Sequence, residues 1–382
     1  MAQSPLLATF YIRGQLPPEH MGNQKPSTRG TSARKAGRRP TERTPGPGAS
    51  ERRHGLDPRD LRERSLGFLT VWIVHLGRRY GLVQTLAAQA SPLTPSRLAS
   101  RCSLHEPAVA TWCEAAHAHR ILTRNGSGYA LPARLRPVLA FEDHLDYLAG
   151  QFSYLALRSL DYDAFDDLFR TGVAGRRAPH LAEASAEATR WDHTAFLKVV
   201  LPRVPRLRDV LETGARVLDL GCGRGAWGLR LAPLFPRSRF VGVDPDRRAI
   251  SAARVQAEKS AVGDRLTFLR GAGESIRSLG AFDVVHLGEA LSAIAAKAEV
   301  LGNCRRALHP SGYLAIAEGL KEEGRPHTPT NRLMHGMELD FALQGTRFFT
   351  KEDLRTLLRE SGFVRPRFLA VGGGLWYVVA RR

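Results

Sequence analysis

The sequence predicts an α/β fold, a doubly wound, mostly parallel seven-stranded sheet with an antiparallel C-terminal edge, preceded by a small mainly helical domain. Three observations predict it. After residue 214 short apolar runs alternate with amphipathic stretches, and the runs lack strict alternation, as strands covered on both faces do. The first run ends in a turn of small residues, "DLGCGRG" at 219–225, that opens a helical pattern. Before residue 140 the apolar spacing is helical except for one short hairpin signal.

Residues 1–55 contain ten Lys/Arg against three Asp/Glu and many Pro, Gly and Ser, with few large apolar side chains. Such a segment cannot bury enough surface to offset its ordering entropy, so a disordered basic tail is expected. The opening "MAQSPLLATFYIRG" has no basic residue before its apolar patch, which argues against a secretory signal. The tail carries +7 of the formal net charge of +19. Only seven of the 56 basic residues are lysine, an arginine excess that GC-rich coding also produces, so the charge does not establish a nucleic-acid partner.

Residues 56–140 form the small domain. Leu69, Trp72, Ile73 and Leu76 follow the spacing of one buried helical face. Thr94 is an N-cap with Pro95 at the first helical position, and "EPAVATWCEAAHAHR" buries Val109, Trp112, Cys113 and Ala116. "ILTRNGSGYAL" then reads as two short arms around an Asn-Gly turn. Helices followed by a hairpin is the winged-helix order. The third helix, with Glu106, Glu114 and Arg120, is formally negative where phosphate contacts need Lys and Arg. Packing against a second copy, giving a homodimer, is therefore expected, and nucleic-acid binding is not.

Residues 141–204 read as a helical linker or lid, interrupted at "RTGVAGRRAP"; "FLKVVLPRVPRLRDVLETG" carries the helical pattern into the next domain, 205–382. Its strands are "ARVLDLG", "RFVGVD", "LTFLRG", "FDVVHLG" and "YLAIAEG", then "VRPRFLAV" and "LWYVVARR". No apolar run reaches membrane-spanning length. The four cysteines stand far apart with no CxxC pair, so neither a disulfide scaffold nor a metal site is expected, and a reducing, cytoplasmic location is.

In a doubly wound sheet ligands bind at the carboxyl ends of the strands. There Asp219, Gly221, Gly223 and Gly225 spell DxGxGxG, where a backbone without Cβ atoms turns tightly and lets a ligand lie against it. Asp244 ends the second strand, placed to take ribose hydroxyls.

With "VLDLGCGRG", "FVGVDPD", "FDVVHLGEALSAI", "ALHPSGYLAIAEG" and "TKEDLRTLLRESGF" in order, residues 205–382 resemble class I (Rossmann-like) S-adenosylmethionine-dependent methyltransferases. With the winged-helix layout before them, the chain is similar to small-molecule O-methyltransferases whose N-terminal domain dimerises. The resemblance implies S-adenosylmethionine as cofactor and a small-molecule acceptor. It places the donor's methionine part on Gly221 and Gly223, the ribose on Asp244 and the adenine beside Pro245. Ala272 stands where the family often has an Asp, which leaves a backbone contact near Gly273. Gly288 closes the fourth strand beside the cofactor. The family's histidine after that strand is Ser292 here, so the base is sought at Glu289 or His335, and His286 is read as a packed strand residue. Two other readings stay open: an RNA or protein methyltransferase, and a non-catalytic winged-helix regulator that senses the cofactor.

Overall fold

The strand order of the main sheet is β5-β4-β3-β6-β7-β10-β9, with β3 Arg216–Leu220, β4 Arg239–Asp244, β5 Leu266–Arg270, β6 Phe282–Gly288, β7 Leu308–Lys321, β9 Val364–Gly372 and β10 Leu375–Arg381. A two-residue β8, Phe349–Thr350, pairs with β7 off this path. The structure, a computed structural model, describes residues 57–174, 178–273 and 275–382. The basic tail of residues 1–55 lies outside the described residues.

Both faces of the central strands β3, β6, β7 and β10 are covered, which is why they read as apolar runs. Val217, Val284, Ala315 and Tyr377 face one core with Phe196 and Trp227. Leu218, Val285, Leu314 and Val378 face the other with Leu301 and Leu354. The two C-terminal strands form the expected antiparallel edge. β10 is antiparallel to both β7 and β9, so it lies inside the sheet and β9 forms the edge.

Ahead of the sheet come α1 Pro58–Arg79, α2 Leu82–Ala87, α3 Pro95–Cys102 and α4 Glu106–Ala118. The hairpin of β1 Thr123–Asn125 and β2 Gly128–Ala130 follows. Thr94 caps α3 by accepting from the Arg97 N–H, with Pro95 in the first turn. α4 buries Val109, Trp112, Cys113 and Ala116 as its periodicity requires, and Trp112 Nε1 donates to the Ile73 carbonyl at 2.9 Å. On α1 the expected stripe is only partly covered. Ile73 is buried and Trp72 and Leu76 are half-buried, but Leu69 is 50% exposed, beyond Leu61 and Phe68 which are also exposed. Residues from Thr70 onward form one compact unit, and the start of α1 up to Leu69 does not belong to it.

The segment 141–204 is helical, with α5 Ala149–Ser159, α6 Phe165–Thr171, α7 Leu181–Ala188 and α8 Arg190–Ala195. The apolar run after α8 is not one helix. Phe196–Val200 is a π-turn, and the chain breaks at Val204 (φ −129°) before α9, Pro205–Gly214. A proline cannot continue the hydrogen-bond ladder, so it starts α9 instead. Between the strands lie α10 Ala226–Leu231, α11 Arg247–Glu258, α12 Lys297–Ala307, α13 Pro329–Leu343 and α14 Lys351–Glu360. A reciprocal Thr350–Asp353 capping box opens α14, and burial of Leu354 and Leu358 fixes its inner face.

One buried polar network ties the helical segment to α13. Arg158 Nε donates to Asp340 Oδ1 at 2.8 Å, and Arg158 Nη1 also pairs with Asp161. Tyr154 donates to Asp340 Oδ2 at 2.5 Å, and Asp161 Oδ1 lies 2.6 Å from His180 Nδ1. Among the described residues no helix is long and apolar enough to cross a membrane, and no cluster of three or more His, Cys, Asp or Glu could hold a metal ion. All four cysteines are free thiols.

Candidate functional site

After β3 the chain steps outward to β4 and β5, then returns to place β6 on the other side of β3. The crevice at that reversal is where doubly wound sheets bind ligands. β3 delivers Gly221 at φ +80° and Gly223 at φ +52°, backbone conformations that side chains rarely adopt. A Cβ on Gly221 would stand 2.6 Å from Ala290 Cβ, so the turn packs directly on the chain leaving β6. A Cβ on Gly223 would meet nothing within 4 Å. That glycine faces open space. Gly225, also at positive φ, precedes α10.

Asp244 clasps this turn. Its Oδ2 accepts the Gly223 N–H at 2.9 Å and its Oδ1 accepts the Asp246 N–H at 2.8 Å. Each oxygen keeps a second lone pair. The half-buried carboxylate and the exposed Pro245 stand at the mouth of a cavity of about 1010 Å³. Its lining includes the glycine turn, Asp244, Ala272, Gly273 and Gly288 on one side. On another side it includes Tyr154, Met334, Met337, Phe341 and Phe348, an apolar and aromatic wall. Gly273 is packed tightly, since a Cβ there would lie 2.5 Å from Val300, and Asn303 Nδ2 holds its carbonyl at 3.1 Å.

The polar part of the lining is acidic. Glu289 follows β6 at φ +51° and its N–H donates to the Ala317 carbonyl at 2.8 Å. It opens onto the cavity deep within the fold, and burial lifts its carboxyl to about 7. Behind it, buried Glu318 accepts the Ser292 N–H at 3.0 Å, and burial raises it to about 8. Asp192 on α8 is pushed well above the ordinary carboxyl range by burial and then by the nearby Glu289 and Glu318. The next residue, His193, is pushed down to about 3 by burial and then by Arg230.

His286 is more than packing. Its ring stacks on Trp227 with centroids 3.9 Å apart, and its Nδ1 lies 2.8 Å from Asp219 Oδ1. Parallel pairing sets Asp219 opposite His286 on β3 and β6. The Nε2 atom of this buried ring has no hydrogen-bond partner among the described residues, and the residue lines the cavity. In the tautomer that donates Nδ1–H to this carboxylate, Nε2 presents a lone pair.

The structure thus brings Asp219, Gly221, Gly223, Asp244, Pro245, Ala272, Gly273, Gly288 and Glu289 to one cavity; Gly225 supports the turn from behind, beside Phe268. It does not bring His335 there. Met334, Met337 and Phe341 recur at i, i+3 and i+7 and take the inner face of α13. His335 falls on the outer face, its side chain 49% exposed and its Nδ1 3.6 Å from Glu338. Asp192 and His193, which carry no local signal in the sequence, come from the helical segment and line the cavity.

Residues 211–362 match a family model described as a methyltransferase domain. A ubiquinone biosynthesis O-methyltransferase of Roseobacter denitrificans is 32% identical over 156 residues, which are 39% of this chain and 60% of that protein. A 27-O-demethylrifamycin SV methyltransferase of Amycolatopsis mediterranei is 31% identical over 160 residues, 42% of this chain and 57% of its own. The chain thus spans about 60% or less of the length of these two curated relatives. Human N-acetylserotonin methyltransferase, solved with S-adenosylmethionine, superposes with a TM-score of 0.62 at 19% identity, covering 86% of this chain and 99% of that one. At that identity the likeness is one of fold.

Proposed function

We infer that this chain transfers the methyl group of S-adenosylmethionine to an oxygen of a small, natural-product-like acceptor, a reading supported by the match of residues 211–362 to a methyltransferase domain model. The observation that carries the reading is the Asp244–Gly223 clasp at the mouth of the large cavity, on the crevice where the sheet reverses. The names of the relatives, an O-methyltransferase of ubiquinone biosynthesis and a rifamycin methyltransferase, support a small-molecule acceptor and oxygen as the accepting atom.

The residues fit the cofactor. The bare backbone at Gly221 and Gly223 seats the methionine part of the donor, with Asp219 and Gly225 supporting the turn. The remaining lone pairs of Asp244 accept ribose hydroxyls, and Pro245 flanks the adenine. Ala272, Gly273 and Gly288 keep the adjoining wall low. When bound, the donor supplies a methyl group on a sulfonium for a single in-line displacement, so the chain's main task is alignment. Met334, Met337 and Phe341 exclude water from the acceptor side. Glu289, with a carboxyl near 7, is suited to take the acceptor's hydroxyl proton at neutral pH. His335 sits outside this wall and has no part in the step.

The reading is tested by incubating the protein with methyl-labelled S-adenosylmethionine and metabolite extract. Label should enter a small-molecule fraction, and the Glu289→Gln variant should lose most of the rate while still binding the donor. Label confined to RNA or protein would overturn the reading.

We also infer a cytoplasmic homodimer built through residues 60–140. The exposed Leu61, Phe68 and Leu69 of α1 support it. The hairpin's Arg124 is already engaged, donating to Glu114 of α4 at 3.2 Å, while Glu114 also accepts from Tyr129 Oη at 2.5 Å. That ties the hairpin's arginine to a carboxylate rather than leaving it to meet a phosphate. Light scattering should give a dimer mass, and Leu69→Lys should shift it toward monomer. A wild-type monomer that binds one duplex tightly at about 0.15 M salt would contradict this.

A further inference from the structure

Asp192 is the least explained group in the cavity. The residue is 3% exposed, and its Oδ2 has no hydrogen-bond partner among the described residues. A buried polar atom without a partner costs free energy and calls for an explanation. Ionisation does not supply one. As a carboxylate Oδ2 is an unpaired acceptor, and as an acid it is an unpaired donor or acceptor. The surroundings deepen the problem, because Glu289 and Glu318 are the charged groups that act on Asp192. Among the described residues no Lys, Arg or His lies in ion-pair range of any of the three. The positive side chains in the lining, Arg224 and Arg248, belong to the glycine turn and the start of α11, on the side of Asp244.

The same cavity presents aromatic side chains, Tyr154, Trp191, Phe341 and Phe348. Carboxyl oxygens without a cation, in a cavity with aromatic rings, match an organic ammonium: the oxygens take its N–H groups and the rings favour its charge. Resting on the methyltransferase reading above, we propose that the acceptor carries a basic nitrogen, held as an ammonium against Asp192 within this aromatic wall. The hydroxyl that receives the methyl group lies elsewhere on the same molecule, within reach of Glu289. The acidic cluster is then a recognition element, and a neutral analogue of the acceptor leaves Asp192 unpaired. Sites built to bond a polar group discriminate strongly against ligands that lack it.

The pH dependence follows from the groups around Asp192. α8 contributes His193, held neutral by burial near 3; β10 contributes Tyr377, which burial keeps in its phenol form and which donates to the Asp192 backbone carbonyl. β3 and β6 contribute Asp219 and His286, bonded to each other. Glu289 at about 7 and Glu318 at about 8 change charge near neutrality. Both become negative as pH rises, while an alkylammonium with a pKa near that of lysine, about 10, stays positive. Affinity for the ammonium should therefore rise between pH 6.5 and 8.5.

The test uses protein saturated with S-adenosylhomocysteine, which carries no sulfonium, and compares tyramine with 4-ethylphenol by calorimetry. Tyramine should bind about tenfold tighter or more, the range for one charge-assisted hydrogen bond. Its advantage should grow with pH over that interval. Asp192→Asn should abolish the advantage and leave S-adenosylhomocysteine affinity unchanged. If that variant does not fold, the pH series on the wild-type protein decides alone. Equal affinity for the two probes at every pH, or no binding of tyramine, overturns the proposal. So does an amine preference that survives Asp192→Asn. If the variant instead loses its preference for S-adenosylmethionine over S-adenosylhomocysteine, the carboxyl serves the sulfonium and the proposal fails. Failure to bind S-adenosylhomocysteine at all would count against the methyltransferase reading itself.

Discussion

Arg158→Met should cost about 3–5 kcal/mol of folding stability, the range for breaking a buried ion pair by removing one partner. Arg158, Asp161 and Asp340 are all nearly inaccessible, at 0%, 2% and 2% exposure. Methionine fills much of the space but leaves the buried Asp161 and Asp340 carboxylates without the guanidinium that both pair with. The triple variant Arg158→Met, Asp161→Asn, Asp340→Asn should recover most of the loss, because it removes the buried charge altogether. Urea unfolding of the two proteins decides the matter. A single variant as stable as the wild type would show that the network contributes little. The effect bears on function, because Tyr154 donates to Asp340 and also lines the cavity. Loosening the network should widen the acceptor side before the whole fold is lost.

The second large effect concerns the donor. Asp244→Ala should weaken S-adenosylmethionine binding by about 1.5–3 kcal/mol, roughly ten- to hundredfold in Kd. Two losses combine there. The ribose loses its acceptor, and the Gly223 N–H loses the carboxylate that holds the turn in place. Asp244→Asn keeps one carbonyl oxygen and should fall between. Calorimetry at fixed pH measures both. Unchanged affinity in the alanine variant would remove Asp244 from the ribose site.

The parts of the molecule that the sequence reveals are those governed by local rules. The strands β3, β4 and β6 coincide with short apolar runs because they are buried on both faces. Gly221, Gly223 and Asp244 are legible because the turn and the strand end demand those residue types within one unit of chain. Two local signals misled. The run from Phe196 to Gly214 keeps a helical apolar pattern, yet Pro205 divides it. On α13 the acid-base residue type drew attention to His335, whereas the heptad position of Met334, Met337 and Phe341 decides which face turns inward. The remaining residues that line the cavity carry no local mark at all. Asp192 and His193 sit in an ordinary helical stretch, and nothing near them in sequence points to β6. His286 looks like any polar residue in a strand until parallel pairing sets it beside Asp219 and α10 lays Trp227 over it.

The position of β10 bears on the order in which the molecule can be made. Strands β3 to β7 emerge from synthesis in an order that lets each find its neighbour, so that five-stranded part can assemble while the chain is still growing. After the two-residue β8, which pairs with the end of β7, β9 emerges and has nowhere to go. Among the described residues its strand partner is β10, and the side of β7 that β10 covers waits for that same strand. Until Leu375–Arg381 arrives, the nascent protein carries one open sheet edge and one loose strand, both rich in unpaired backbone groups. Those are the features that recruit neighbouring chains. A chain truncated before Leu375 should therefore aggregate rather than fold into a merely less stable protein, and folding helpers would be most needed until that strand has emerged.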